Sequence, residues 1–88
     1  MAWTIEIQES AKKELKKLDK PVLKRIFDVL DRIASLDDPR TAGHALKGSI
    51  LGDFWRYRVG DFRLICRVED NRLVITLVRV GHRKEVYK

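Results

Sequence analysis

The chain has 88 residues, 44% of them hydrophobic and 36% charged, with a formal net charge of +6. That length and apolar fraction supply one compact core and not two, and a pI of about 9.8 favours an anionic partner such as nucleic acid. The single cysteine excludes an internal disulfide framework and any cysteine-rich zinc site, and the longest apolar run, Leu73 to Val78 with Thr76 inside it, is far too short to span a membrane. The N-terminus shows no signal-peptide pattern, so one cytoplasmic domain over residues 1–88, with no membrane partner, is expected.

Residues 2–8 alternate apolar and polar and predict a short strand with Trp3, Ile5 and Ile7 on one face. Ser10 is placed to cap a helix over residues 11–18, in which Ala11, Leu15 and Leu18 recur at helical spacing. Asp19-Lys20-Pro21 breaks it, and the proline suits the first turn of a second helix. Leu23, Ile26, Phe27, Leu30, Ile33 and Ala34 give that helix an apolar stripe, and it should end near Leu36, before Asp37-Asp38-Pro39. Residues 37–53 show no sustained period and carry Gly43, Gly48 and Gly52. A loop this long in a small domain is often functional, and Ala45-Leu46-Lys47-Gly48 is the candidate for a short ordered piece at the sheet edge.

Three strands follow, Phe54 to Val59, Phe62 to Glu69 and Arg72 to Val80, separated by Gly60-Asp61 and Asp70-Asn71, both two-residue loops of the hairpin type. The third strand is apolar on both faces, which predicts a central position. The fold class expected is α+β: a short N-terminal strand, a two-helix hairpin and a three-stranded antiparallel meander, forming one mainly antiparallel sheet with the helices on one face.

Charge is uneven along this order. Residues 1–53 hold ten Lys/Arg against nine Asp/Glu, whereas residues 54–88 hold nine against four. Seven of the ten arginines fall in the second stretch and seven of the nine lysines in the first. Lys12, Lys13, Lys16 and Lys17 read as the solvated face of a helix. Arginine's planar fork makes paired hydrogen bonds to phosphate, and the strand geometry groups these arginines. A two-residue turn at Gly60-Asp61 sets Val59 opposite Phe62, Arg58 opposite Arg63 and Arg56 opposite Ile65. Arg56, Arg58 and Arg63 then share one face, and Trp55, Tyr57, Val59, Phe62, Leu64, Cys66 and Val68 share the other, which is the core face. Cys66 reads as a small buried hydrophobe rather than a nucleophile. Like charges directly opposite one another destabilise a sheet, so Arg58 facing Arg63 indicates a face arranged for an anion. The alternative is that solvent screens the pair and the cost is small.

No paired carboxylates, phosphate-cradling glycine loop or nucleophile–base arrangement is present, and His44 and His82 lack the spacing of a metal site. What remains is arginine electrostatics, a tyrosine and a histidine. RNA can be cut without a metal or other cofactor when its own 2′-hydroxyl attacks the adjacent phosphate. The protein then has to orient the chain, stabilise the developing charge and move two protons. Arg56, Arg58, Arg63 and Arg83 are candidates for the charge. His82 and Tyr87 are candidates for a proton or a stacked base; the alternatives are an exposed polar residue after a strand and a terminal residue that merely packs.

Three segments taken together, Leu46-Lys47-Gly48, then Phe54-Trp55-Arg56-Tyr57-Arg58-Val59-Gly60-Asp61-Phe62-Arg63-Leu64-Ile65, then Val80-Gly81-His82-Arg83-Lys84-Glu85-Val86-Tyr87, resemble the RelE branch of the RelE/ParE toxin superfamily. The resemblance covers essentially the whole chain. It implies a RelE-like toxin of a type II toxin–antitoxin module, an mRNA interferase that cuts message in the ribosomal A site and is neutralised by a RelB-like antitoxin in a hetero-oligomeric complex. By the same resemblance Arg63 contacts phosphate, Arg83 serves leaving-group protonation or charge stabilisation, and Tyr87 stacks on the substrate base. Lys47, Arg67 and Lys84 are further RNA-binding candidates. Arg56 and Arg58 stand where the best-known members carry lysines. Arginine stays protonated, so a base is lacking there, and His82 or the ribosome is left to supply it. The strand motif is shared with ParE-like toxins, non-enzymatic inhibitors of DNA gyrase, which is the alternative function.

Overall fold

A computed structural model describes residues 3–46 and 54–82. Lys47, Arg83, Lys84 and Tyr87 lie outside these residues. The elements run β1 (Thr4–Ile7), α1 (Glu9–Leu15), α2 (Lys20–Ala34), a 3-10 turn (Pro39–Ala42), β2 (His44–Ala45), β3 (Phe54–Val59), β4 (Phe62–Glu69) and β5 (Val74–His82). The five strands form one sheet in the order β1-β5-β4-β3-β2. β1 runs parallel to β5 and every other pair is antiparallel. The expected α+β architecture is present, with β5 in the interior of the sheet, as its two apolar faces require.

The helices bury one stripe each on one side of the sheet. Ala11 and Leu15 of α1 and Ile26, Leu30 and Ile33 of α2 meet Tyr57, Val59, Leu64, Cys66, Ile75, Leu77 and Val80. Each fully buried leucine or isoleucine in such a core contributes about 1.5–3 kcal/mol. Trp3, Ile5 and Ile7 pack against the same cluster, as their alternation predicts. Phe27 does not: it is 41% exposed, because Ile26, Leu30 and Ile33 already fill the stripe and position 27 turns outward.

Several boundaries differ from the sequence reading for identifiable reasons. The first helix begins at Glu9, with Gln8 as its cap residue, so Ser10 is not the cap. The Ser10 hydroxyl instead donates to the Val78 carbonyl at 2.7 Å. That carbonyl sits at a β-bulge: Cys66 pairs with Leu77 and Ile65 with Arg79, leaving Val78 as the extra residue. The helix ends at Leu15, and the chain reaches α2 through a turn over residues 16–18. Pro21 lies in the first turn of α2 as expected, and the helix stops at Ala34, two residues short of Leu36, where the Ser35 hydroxyl bonds the Arg32 carbonyl at 2.7 Å. The turn between β4 and β5 spans residues 70–73 rather than two residues, and Leu73 takes a positive φ of 53°. The third strand of the meander is displaced accordingly, to Val74–His82. The long loop contains the 3-10 turn and a two-residue strand that pairs with β3.

β1 pairs only with the first half of β5, from Val74 to Leu77. Beyond that point helix α1 takes over the strand's role along the β5 edge. Ser10 bonds the Val78 carbonyl, and the Glu14 carboxylate accepts from the Val80 backbone N–H at 2.7 Å. Two backbone groups of an interior strand are thus satisfied by side chains of a helix. Glu14→Ala leaves the Val80 N–H without its acceptor and should cost about 1–3 kcal/mol in urea unfolding. Lys12→Ala, which removes only the exposed Lys12–Glu9 pair, should change stability by less than about 0.5 kcal/mol. Equal effects would show that the α1–β5 bond does not hold the edge.

Cys66 is fully buried in the core, and burial pushes its thiol up to about 12 from an ordinary 9.0. A thiol that holds its proton more tightly in the folded chain adds stability in full below the unfolded value of 9.0, and that stability is lost as pH rises from there toward 12. Iodoacetamide at about pH 8 should leave the native protein unlabelled and modify it only after unfolding in urea. Equal labelling rates in the two states would contradict the burial.

Candidate functional site: an arginine face on the open side of the sheet

The turn Gly60-Asp61 determines which side chains reach the site. Gly60 has φ +60° and is the only glycine with positive φ among the described residues, while Asp61 does not share it. That is the pattern of a type II′ hairpin, with glycine at the first central position. The pairing that follows is the expected one: Val59 with Phe62, Arg58 with Arg63, Tyr57 with Leu64, Arg56 with Ile65, Trp55 with Cys66. Directly opposed residues of an antiparallel pair share a face, so Arg56, Arg58 and Arg63 stand together on the side of the sheet away from the helices. Arg67 continues the row, opposite Phe54 and Thr76.

The three central arginines differ in exposure. Arg58 is exposed and has no carboxylate within ion-pair distance among the described residues. Arg56 is half-buried. Arg63 is only 6% exposed, more enclosed than an open phosphate-binding face suggests. Its Nη1 donates to the Gly60 carbonyl at 3.0 Å and to the Phe62 carbonyl at 2.9 Å, so the hairpin that aligns the face also fixes one guanidinium on it. Its neighbour on β5 is Gly81, which adds no side chain there. The strand arginines Arg67 and Arg79 and the turn arginine Arg72 are tied to acids: Arg67 to Glu69 at 3.5 Å, Arg72 to Glu6 at 3.2 Å and to Glu69 at 3.5 Å, and Arg79 to Glu14 at 3.7 Å. A second cation approaches the turn from the helical side. The Arg25 guanidinium of α2 lies so near Gly60 that a Cβ there would meet its Nη2 at 2.8 Å.

His82 does not join the arginines. It pairs with Phe62, on the core-facing side, and its ring meets the Phe62 ring edge-on with centroids 5.8 Å apart. There it lines an open cleft of about 420 Å³ with Glu14, Lys17, Leu18, Phe62, Val80 and Gly81. The histidine on the arginine side is one the sequence reading set aside for lacking a metal-site spacing. His44 pairs directly with Arg56 across β2 and β3 and is exposed. Two residues are too few to show a period, so the only available signal was the glycine-flanked position of the segment in the loop.

β2 is seated by a frame at the end of the sheet. The buried Tyr57 hydroxyl donates to the Pro39 carbonyl at 2.8 Å, and burial raises the Tyr57 phenol well above its usual range. Asp38 accepts from the Arg40 backbone N–H, and Arg40 reaches across to Asp70 with contacts of 3.1 and 2.7 Å. Asp70 and, after it, Asp38 hold the Arg40 guanidinium firmly charged against a smaller opposing effect of burial. Gly43 lies flat on this frame: a Cβ at that position would come within 2.7 Å of Tyr57 Cε1 and 2.9 Å of the Arg56 carbonyl oxygen. A side chain there would force β2 away from β3. Among the described residues no cluster of three or more His, Cys, Asp or Glu is arranged to hold a metal ion.

Comparison with known proteins places this architecture. Residues 5–87 match the family model described as the ParE toxin of the type II toxin–antitoxin system parDE. Toxin RelG of Mycobacterium tuberculosis is 27% identical over 88 residues, covering 100% of this chain and 99% of that protein. A putative RelE-like toxin protein of Escherichia coli is 31% identical over 86 residues, covering 96% and 86% of the two chains. Among solved structures, the toxin–antitoxin complex RelBE2 of M. tuberculosis superposes with a TM-score of 0.80 at 25% identity, over 97% of this chain and 95% of that one. The archaeal RelE–RelB complex of Pyrococcus horikoshii superposes with a TM-score of 0.78 at 27% identity, over 97% and 99%. With its meander, helical hairpin and paired arginine strands, the chain belongs to the ParE toxin family of type II toxin–antitoxin systems, within the RelE/ParE superfamily.

Proposed function

We propose that this toxin is a ribosome-dependent endoribonuclease of the cytoplasm that cuts mRNA in the ribosomal A site and so arrests translation. The observation that carries the reading is the cross-strand pair Arg58–Arg63, with Arg56 beside it on one face of the sheet. Like charges set opposite one another cost stability, and an anion bound between them removes that cost. The similarity to RelE-type toxins supports the same conclusion. In the reaction the 2′-oxygen attacks the adjacent phosphorus and the phosphoryl group gains negative charge in the transition state. Arg56, Arg58, Arg63 and Arg83 stabilise that charge. Arg63 is already held by the Gly60 and Phe62 carbonyls, so little reorganisation is needed as charge develops. Tyr87 stacks on the substrate base, and Lys47, Arg67 and Lys84 hold the RNA backbone. The ribosome presents the message in an attack-ready shape, which so sparse a site needs. No metal takes part, and the active unit is the single domain of residues 1–88. A RelB-like antitoxin silences it in a hetero-oligomeric complex, as the solved complexes of its relatives suggest.

One observation favours a second reading: the matching family model is that of ParE toxins. On that reading the protein inhibits DNA gyrase without catalysis, and the arginine face docks a protein. A defined message in a purified translation system, mapped by primer extension, separates the two. Wild type should cut within A-site codons only when ribosomes are present, and Arg58→Ala and Arg83→Ala should each lower the rate about 10²–10³-fold. Intact message together with inhibited gyrase supercoiling would establish the second reading instead.

A further inference from the structure

The three strand arginines of the face, Arg56, Arg58 and Arg63, cannot themselves take a proton. Arg56 and Arg58 stay protonated at any physiological pH, and His82 lies on the other side of the sheet, against Phe62. Histidine is the side chain whose ordinary titration range spans neutral pH, and the register of β2 brings one to the face. His44 is paired with Arg56 and Ala45 with Trp55, and two positions beyond His44 a backbone bond of 3.1 Å runs from the Leu46 N–H to the Phe54 carbonyl. Bonded and non-bonded pairs alternate in an antiparallel ladder, so His44 and Arg56 are also a bonded pair, with Cα atoms about 5.5 Å apart and side chains on the same face.

The surroundings of His44 are cationic. β3 contributes Arg56 directly opposite and Arg58 two residues further along. The adjoining 3-10 turn contributes Arg40, already committed to Asp38 and Asp70. No carboxylate of β2 or β3 faces it among the described residues. An exposed imidazole beside arginines that bind phosphate is a proton acceptor placed next to the anion it would act on. The backbone beneath it is the seated frame of Gly43, Tyr57 and Pro39 rather than a freely moving loop.

We propose that His44 is the proton-transfer residue of this site, an inference that rests on the endoribonuclease reading above. The neutral imidazole takes the proton of the 2′-hydroxyl as the 2′-oxygen forms its bond to phosphorus. The bond from phosphorus to the 5′-oxygen breaks, and that oxygen leaves with a proton from water. The products are a 2′,3′-cyclic phosphate and a 5′-hydroxyl, and the imidazolium returns its proton to solvent.

The test is single-turnover cleavage of a defined message on purified ribosomes by wild type, His44→Ala and His82→Ala, with ribosome affinity measured in parallel. His44→Ala should lose at least tenfold in rate, and about 10²–10⁴-fold if the transfer is fully lost. Ribosome affinity should stay unchanged, and added imidazole should restore part of the rate, which a structural role would not allow. His82→Ala should retain its rate. A loss below tenfold, or a loss without imidazole rescue, overturns the assignment while leaving the nuclease standing. Failure of the wild type to cut on ribosomes overturns the nuclease reading and this assignment with it. Thermal unfolding of His44→Ala should match the wild type, since the side chain is exposed.

Discussion

The turn at Gly60-Asp61 is the constraint on which the rest of the sheet depends. Side chains alternate along a strand with a period of two, so a slip of one residue between β3 and β4 would turn every side chain over. Arg56 and Arg58 would enter the space now held by Tyr57 and Val59, and neither could be desolvated there without a partner. A two-residue loop with positive φ at its first position admits one register, and glycine adopts that φ without strain. Arg63 then binds the carbonyls of the same turn. The element that sorts core from surface is therefore also the element that anchors an arginine on the open face.

Two further devices adjust what the hairpin sets. The bulge at Val78 shifts the parity of β5, so that Ile75 and Leu77 face the helices on one side of it and Val80 on the other. The carbonyl left over is taken by Ser10, and Glu14 takes the Val80 N–H. Helix α1 is thereby registered against the strand it covers by hydrogen bonds, not by apolar packing alone. At the far edge the frame of Tyr57, Pro39, Arg40 and Asp70 does the corresponding work for β2. A sheet with both margins tied in this way presents its arginine face on a fixed backbone, which phosphate recognition by several guanidinium groups requires.

Much of this was legible in the sequence wherever a local rule governed it. The β3–β4 register could be written down pair by pair, because a two-residue turn and strand alternation leave no freedom, and the helical stripe of Ile26, Leu30 and Ile33 follows from spacing. The failures share a cause: each depends on a partner distant in sequence. Ser10 looked like a cap because nothing local reveals the Val78 carbonyl. β2 was hidden because two residues cannot show a period, and its existence depends on the β3 edge and on the close approach at Gly43. Leu73 with positive φ ran against the propensity of a leucine, and the two-residue turn expected at Asp70-Asn71 became four residues. The same limit applied to the site. Arg56, Arg58 and Arg63 could be grouped from alternation, whereas the side of the sheet taken by each histidine required the pairings of β2 and β5. Arg83 and Tyr87, named by resemblance, lie outside the described residues.

The pairing of β1 with β5 has a consequence for how the molecule comes into being. Thr4 is matched with Val74 and Ile7 with Leu77, so among the described residues β1 finds its sheet neighbour 70 positions further along the chain. A parallel pair closed over that span must wait until β5 has been made, and non-local pairings of this kind form slowly. During synthesis β1 and the helical hairpin therefore emerge with their apolar faces uncovered, and the sheet closes only when β5 clears the exit tunnel.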